Sequence, residues 1–428
     1  MKSMPVEALL PVQLGPERFP VARGARAGGW VFASGVMATD PKGGPAAELK
    51  DGARPLSSEP RWYREASRMF QCAEEVLHAG GTDLSRAVRT DQYFPDWRAV
   101  PFFHQVRRER CGSYIAPSTS ILEPALRLPQ AGMAMEVIAV RPDSGLQLTP
   151  VYPPGLDVPA TSSFVPVVKA DDFVFVAGFL AAWKPGDLGG IAPEAKVPEG
   201  HLWKGNRIQL EADYIVRNKL KPALEGAGAS LASAVKAQVY LADINDVPAF
   251  NQVWAHHFGD RIPATTFVPT LNPGFAIADA RCEINLIALA EAGTTKRNDV
   301  GSGSPAVCDG HPVAVRAGNF ICFSGLVAAD ESGLVKAARA KRSDVSVQAQ
   351  MDYLLDLAER TCREAGTTLA NAVRIQQFHT NLKEFYPACR AWKRRLPGRP
   401  LPISALQVPG PLLVPGCTVQ LDLWVYVP

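Results

Sequence analysis

The segment EGAGASLASAV at residues 225–235 decides the fold, because the chain contains it three times. It reads HAGGTDLSRAV at 78–88 and EAGTTLANAV at 364–373, and the closing residues Val88, Val235 and Val373 stand 147 and 138 residues apart. Upstream, WVFASGVMATD (30–40) returns as FVFVAGFLAAW (173–183) and FICFSGLVAAD (320–330). Downstream, MAMEVIAV (133–140) returns as CEINLIAL (282–289) and VQLDLWVY (419–426). Three blocks recur in one order at a domain-sized period, which describes a repeated domain and not a solenoid unit. The repeat sets three domains, 1–145, 155–292 and 305–428. The stretches between them, 141–160 and 291–306, are rich in Pro, Gly and Ser and read as loops.

Each unit carries the same local pattern. WVFASGVM is a short aromatic and β-branched run, hence a strand. It leads into a turn at Asp40-Pro41-Lys42-Gly43, at Pro185-Gly186-Asp187, or at Asp330-Glu331-Ser332-Gly333. A helix follows, clearest in VSVQAQMDYLLDLAERTCREAG, with apolar residues at helical spacing and Gly366 as its stop. Then come a strand (VKAQVYLAD, 235–243), a second helix (VPAFNQVWAHHFG, 247–259), a Pro-flanked strand and a closing β-rich strand. The order β-β-α-β-α-β implies an α+β layer in which sheets bury one face against helices.

Composition bounds the function. With 45 Lys+Arg against 42 Asp+Glu the net charge is +3, which supplies no basic stripe for nucleic acid. Apolar residues make up 47% of the chain, enough for a packed core. Gly and Pro together number 72 of 428 residues, an excess that implies many turns. The eight cysteines are irregularly spaced and contain no CxxC pair. With an N-terminus lacking an apolar secretory core and no long apolar run, they point to a reducing cytoplasm and no membrane span. No HxxxH, Cys/His cluster, GxSxG or phosphate-loop pattern is present, so neither a metal nor a nucleotide cofactor is expected.

The Ser-Gly strand endings (Ser34-Gly35, Ser324-Gly325), the helices ending at an Ala-Gly step, VYLADINDVPAFNQVW (239–254), the strands led by Pro117, Pro263 and Pro402, and the closing MEVIAV together resemble the Rid (YjgF) family of reactive intermediate deaminases. The resemblance covers nearly all of each unit. It implies a chorismate-mutase-like fold with sheets inside and helices outside, three covalently joined copies forming a single-chain pseudo-trimer, and active sites in the clefts between neighbours. Self-association of such pseudo-trimers is a further possibility. The family's chemistry is hydrolysis of enamines and imines to a carbonyl compound and ammonia, without metal or cofactor. Within the family, a triplicated chain without the usual clamping Arg looks most like the aminomuconate deaminases, including those acting on chlorinated 2-aminomuconates of nitroaromatic degradation.

Carried over position by position, the resemblance places the family's acid at Glu136, Asn285 and Asp422. A carboxylate inside an apolar strand is costly unless paired or protonated, so Glu136 and Asp422 are the candidate proton carriers, with a structural salt bridge as the alternative. Asn285 cannot be an acid, which marks the second unit's site as degenerate. The family's clamping Arg is replaced by Thr119, Thr265 and Ser404. Arg26 and Arg316, which align with Lys169, are then the candidates to neutralise a substrate carboxylate. Ser34, Ser324, Thr119, Ser404 and His311 are candidate cleft hydrogen-bonders; Ala177 takes the serine's place in the second unit. The expected partner is a small enamine carboxylate. The alternatives are a non-catalytic metabolite-binding protein and a different C–N hydrolase in the same clefts. The location of Glu136 and Asp422 discriminates among them.

Overall fold

The computed structural model describes residues 5–50, 59–156, 158, 162–182, 189–201, 203–301, 308 and 310–428. The chain is a mixed α+β structure built on three sheets with one strand order. The first sheet holds β1 (Val6–Leu14), β2 (Phe19–Ala27), β3 (Trp30–Val36), β4 (Ala87–Phe94), β5 (Ser118–Leu122) and β7 (Ala134–Val140), in the order β1-β2-β3-β7-β4-β5. The two-residue strand β6 (Ala125–Leu126) leaves this sheet for another. The second sheet holds β8 (Leu148–Val151), β9 (Val167–Ala170), β10 (Phe173–Phe179), β11 (Ala234–Leu241), β12 (Ala264–Pro269) and β13 (Cys282–Leu289), in the order β8-β9-β10-β13-β11-β12. The third holds β14 (Arg297–Val300), β15 (Ala314–Ala317), β16 (Phe320–Phe323), β20 (Ala372–His379), β21 (Ile403–Gln407) and β22 (Val419–Tyr426), again in that order with the last strand inserted. Between β16 and β20 lie the short β17 (Leu326–Val327), β18 (Ala329–Asp330) and β19 (Gly333–Leu334). In each sheet one pair is parallel, β4 with β5, β11 with β12 and β20 with β21, because a helix crosses between them.

The helices are α1 (Ala47–Lys50), α2 (Arg61–Gly80), α3 (Val100–Cys111), α4 (Arg207–Ile215), α5 (Lys221–Gly226), α6 (Val247–Phe258), α7 (Ser343–Glu364) and α8 (Phe385–Arg395). On α2 the buried residues Met69, Phe70, Ala73, Val76 and Leu77 recur at helical spacing. Each large one contributes about 1.5–3 kcal/mol by leaving water. The helix ends where Gly81 adopts φ 83°, and Thr82 N–H reaches back to the Leu77 carbonyl at 2.9 Å. The corresponding helix of the second segment is not continuous: a π-turn at Val216–Leu220 separates α4 from α5, just before Pro222, which has no N–H for the helical ladder. No described helix is long and apolar enough to cross a membrane.

Two expectations need correction. The stretches 141–160 and 291–306 are not wholly loops. Within them β8 and β14 add an outer strand to their sheets, pairing with β9 and β15. Local sequence (LTPV, RNDV) does not call for strands there; the unpaired edge of the sheet does. Each sheet therefore has six main strands, two more than the order β-β-α-β-α-β implied. Of the three turns, that at Pro185-Gly186-Asp187 lies outside the described residues.

The sheets meet around a shared core. Trp30, Phe173 and Phe320, the opening residues of β3, β10 and β16, pack on one another with ring centroids 5.4, 5.6 and 6.0 Å apart. Phe32, Phe175 and Trp424 extend the same cluster. The sheets also exchange loops. β6, downstream of β5, pairs with β21 of the third sheet, and Leu122 N–H donates to the Gly274 carbonyl at 2.9 Å.

Candidate functional site

Three clefts form where the end of β3, β10 or β16 meets the parallel strand of the next sheet. The β3–β7 ladder loses register between Ala33 and Val36, and β10–β13 between Val176 and Phe179. Strand β16 stops at Phe323, before Ser324-Gly325. Each Ser-Gly or Ala-Gly step thus leaves the ladder and faces a neighbouring sheet, as bulges do. In the first cleft Gly35 abuts Ser404, in the second Gly178 abuts Thr119, and in the third Gly325 N–H donates to the Thr265 carbonyl at 3.0 Å. A Cβ on Gly178 would stand 2.8 Å from the Thr119 hydroxyl and would collide with the Glu283 carboxyl; one on Gly325 would stand 2.7 Å from Gln420 Nε2. A side chain at either position would force the Glu283 or Gln420 side chain to move.

The structure places Glu136 and Asp422 deeper than the cleft surface. They lie in a buried network at the junction of the three sheets, with Arg89, Asp91, Lys236, Gln238, Arg374 and Gln376. Arg374 stands 3.4, 3.5 and 3.7 Å from the carboxylates of Asp91, Glu136 and Asp422. Lys236 Nζ is 2.9 Å from Asp422, and Arg89 is 3.0 Å from Asp91. Burial alone would raise the Asp422 carboxyl, but Lys236 and Arg374 outweigh it and hold the group below the usual range. For Glu136 burial wins over Arg374, Ser404 and the Gly35 N–H, and its carboxyl is raised. Glu136 nevertheless backs the first cleft, accepting from Gly35 N–H at 2.9 Å.

In the second and third clefts the closing strand meets the cleft two residues earlier, at Glu283 and Gln420. Residues i and i+2 share a face, so Asn285 and Asp422 lie on the same face one pleat, about 7 Å, deeper. Glu283 is the residue that sequence reasoning missed. It pairs across the ladder with Tyr240, is buried at 6% exposure, and makes no ion pair among the described residues. Burial, reinforced by the Asp91 charge, pushes its carboxyl up to about 8. It is therefore mostly protonated at neutral pH, opposite the Thr119 hydroxyl. Asn285 donates to that same hydroxyl at 3.0 Å. The segment whose site was expected to be degenerate is the one that delivers a protonated carboxyl to a cleft. The signal was present in CEINLIAL, where the glutamate precedes Asn285 by two.

In the third cleft the polar groups satisfy one another around a cavity of about 10 Å³. Ser324 Oγ donates to the Pro312 carbonyl at 2.6 Å and accepts from Thr265 N–H at 3.2 Å. Gln420 donates to the Phe267 carbonyl at 2.9 Å. His311 pairs with Asn251 at 2.5 Å, and burial lowers its imidazole to about 4, so it is neutral. His379 is likewise buried, lowered to about 3, and bonded to Gln377. The first cleft holds a cavity of about 30 Å³ lined by Arg23, Ser34, Thr39, Cys72 and Arg127 among others. Ser404 flanks it, with its hydroxyl 3.4 Å from the Ile375 carbonyl.

Arg26 and Arg316 are not in any cleft. Arg26 pairs with Glu7 on the outer edge of the first sheet. Arg316 donates to the carbonyls of Gly318 (3.2 Å) and Ala365 (3.3 Å), beside the end of α7. The candidate residues are thus brought together in part. Thr119 shares a cleft with Glu283, Ser324 with His311, and Ser34 with Ser404.

Comparison with known proteins gives concordant matches. A family model described as "Endoribonuclease L-PSP" matches residues 156–290. A RutC family protein of Pyrococcus abyssi is 37% identical over 101 residues, covering 24% of this chain and 68% of that protein. The 3-aminoacrylate deaminase RutC of Acinetobacter baylyi is 32% identical over 130 residues, covering 30% of this chain and 89% of that protein. Among solved structures, yeast Mmf1 aligns over 34% of this chain and 100% of its own, at 28% identity and a TM-score of 0.26.

Proposed function

This chain belongs to the Rid (YjgF, L-PSP) family, and from that premise we propose that it is a hydrolytic deaminase of enamines and imines, built as three tandem Rid units closed into one pseudo-trimer. The common strand order of the three sheets and the mutual packing of Trp30, Phe173 and Phe320 support the tandem reading. The substrate class is a small enamine acid, of which a 2-aminomuconate-type dicarboxylate from aromatic degradation is the member we favour. No disulfide joins any of the eight cysteines among the described residues, which fits a reducing cytoplasm.

One observation carries the catalytic reading: the Glu283 carboxyl, protonated at neutral pH and free of any ion pair among the described residues, faces the cleft between the first and second units. A carboxylic acid with a value near the working pH is suited to passing a proton both ways. Glu283 protonates the enamine carbon, giving an iminium and a carboxylate. The carboxylate takes a proton from water as its oxygen attacks C2, forming a carbinolamine. Glu283 then protonates the nitrogen, the C–N bond breaks, and the hydroxyl proton returns to the carboxylate. The sum is enamine plus water to carbonyl compound plus ammonia, with Glu283 restored. Every step is a proton transfer, the addition of water or the elimination of ammonia, so the cycle needs no electron acceptor. The Thr119 hydroxyl and the Gly178 main chain line the path.

Ammonia release from 3-aminoacrylate and from 2-aminomuconate, each generated in situ, tests this. Wild type should release ammonia above the spontaneous rate from at least one, and Glu283→Gln should be slower by roughly 10²–10⁴-fold. Equal rates for the two proteins would remove Glu283 from the chemistry. No release above background from either compound would favour a binding role.

A further inference from the structure

The closing strands carry Glu136, Asn285 and Asp422 at one ladder position, opposite Asp91, Gln238 and Gln376. The parallel strands carry Thr119, Thr266 and Ser404 opposite those same three residues. Each closing-strand residue meets a hydroxyl of a neighbouring sheet: Glu136 meets Ser404, Asn285 meets Thr119 and Asp422 meets Thr266. A carboxylate only accepts, so Ser404 and Thr266 give their hydroxyl hydrogens to Glu136 and Asp422. Both bonds favour the charged carboxylate and oppose the effect of burial. Thr266 also accepts from Lys236 Nζ at 2.7 Å, which leaves its hydrogen for Asp422.

The pair in the second cleft has the reverse polarity. Gln238 N–H can only donate, and it stands 3.3 Å from Asn285 Oδ1. That contact fixes the amide: Nδ2 turns to Thr119 and donates to its hydroxyl at 3.0 Å. The Thr119 oxygen is thus an acceptor, and its own hydrogen has no acceptor among the described residues. A Cβ on Gly178 would run into both the Glu283 carboxyl and the Thr119 hydroxyl, so the two groups border one point at the bulge of β10. Among the described residues, the titratable groups around Glu283 are Asp91 on β4, Tyr240 opposite it on β11 and its neighbour Cys282; β5 and β10 carry none.

We infer that Asn285 is a positioning residue: it occupies the acceptor side of the Thr119 hydroxyl and so commits that hydroxyl's hydrogen to the Glu283 carboxyl, as a donor to the carboxylate left when its proton has gone to substrate. The role in turnover rests on the deaminase reading; the hydrogen-bond polarity does not. A neutral donor stabilises that carboxylate without the fixed charge that would keep it ionised throughout. The other two clefts lack this device, because the acid at the position of Asn285 has taken the hydrogen.

Infrared titration of the Glu283 carboxyl on the full chain tests it, with Glu283→Gln identifying the band. Wild type should lose the protonated-acid band with a midpoint at about 8. Thr119→Val should raise that midpoint by about one pH unit and lower kcat about 10-fold at unchanged KM, and Thr119→Ser should restore both. Asn285→Asp makes position 285 an acceptor, as position 422 is. It should raise the midpoint at least as far, and adding Thr119→Val to it should raise it no further. An unmoved midpoint in Thr119→Val, or shifts that add in the double variant, would each overturn the inference. Equal turnover by wild type and Glu283→Gln would instead remove the deaminase reading, and the infrared midpoints would still decide the polarity.

Discussion

At the scale of the residue, the chain sorts its buried carboxyls by what faces them. Asp422 is ionised because Lys236 and Arg374 outweigh the cost of burial. Glu283 has no such partner among the described residues, and burial, reinforced by the Asp91 charge, keeps it protonated to about pH 8. An acid raised in the folded state is active in its protonated form below that value and is lost as pH climbs through it. Sequence alone located the closing strands and the correct face, but it could not choose between positions 283 and 285. Both are polar, both point the same way, and only the approach of Gly178 and Thr119 shows which one meets the cleft. Thr119 and Glu283 are 164 positions apart, so no local pattern links them.

At the scale of the element, one helix position beside each of the three sheets does one job. Glu65 on α2 accepts from Gly132 N–H at 2.6 Å, Glu211 on α4 from Arg281 N–H at 2.7 Å, and Gln350 on α7 from Thr418 N–H at 2.8 Å. Each ties a helix to the chain entering the closing strand. Burial raises Glu65 and Glu211 to about 7. Their contribution is complete below the ordinary glutamate range and fades as pH rises to about 7, because the charged form must then be buried. The third unit does the same work with a neutral amide. Glu211→Gln should therefore fold normally. Its stability relative to wild type should improve between pH 5 and pH 9 by at most roughly 3 kcal/mol, read from denaturant unfolding at each pH. A constant difference across that range would contradict the assignment. The elements themselves were legible from periodicity and turn residues. The outer strands β8 and β14 were not, since tertiary anchoring makes them: Arg297, at the start of β14, donates to the carbonyls of Arg261 (2.8 Å) and Ile262 (2.5 Å).

At the scale of the whole molecule, the buried junction makes the three sheets complementary. Arg89, Lys236 and Arg374 occupy one strand position in the three units and meet Asp91, Glu136 and Asp422. Two of the carboxylates come from the first unit, none from the second and one from the third. The charges balance only when the three units sit together, which a repeat count read from sequence cannot reveal. Arg374→Met leaves three carboxylates with fewer counter-charges and should cost about 3–5 kcal/mol in denaturant unfolding, part of it recovered by adding Asp91→Asn. No loss would show that the network is not the clasp described.

Each cleft has its own character: a protonated acid in the second, an arginine-lined cavity in the first, mutually satisfied groups in the third. The central claim is that one protonated carboxyl, Glu283, performs the hydrolysis. The pH dependence of enamine turnover by the wild-type chain tests it most directly. The account predicts a rate that holds through neutrality and falls tenfold per pH unit above about 8, as a single group loses its proton. A rate that instead rises with pH through 4 to 5 and stays high above 9, the profile of an ordinary carboxylate base, would contradict it.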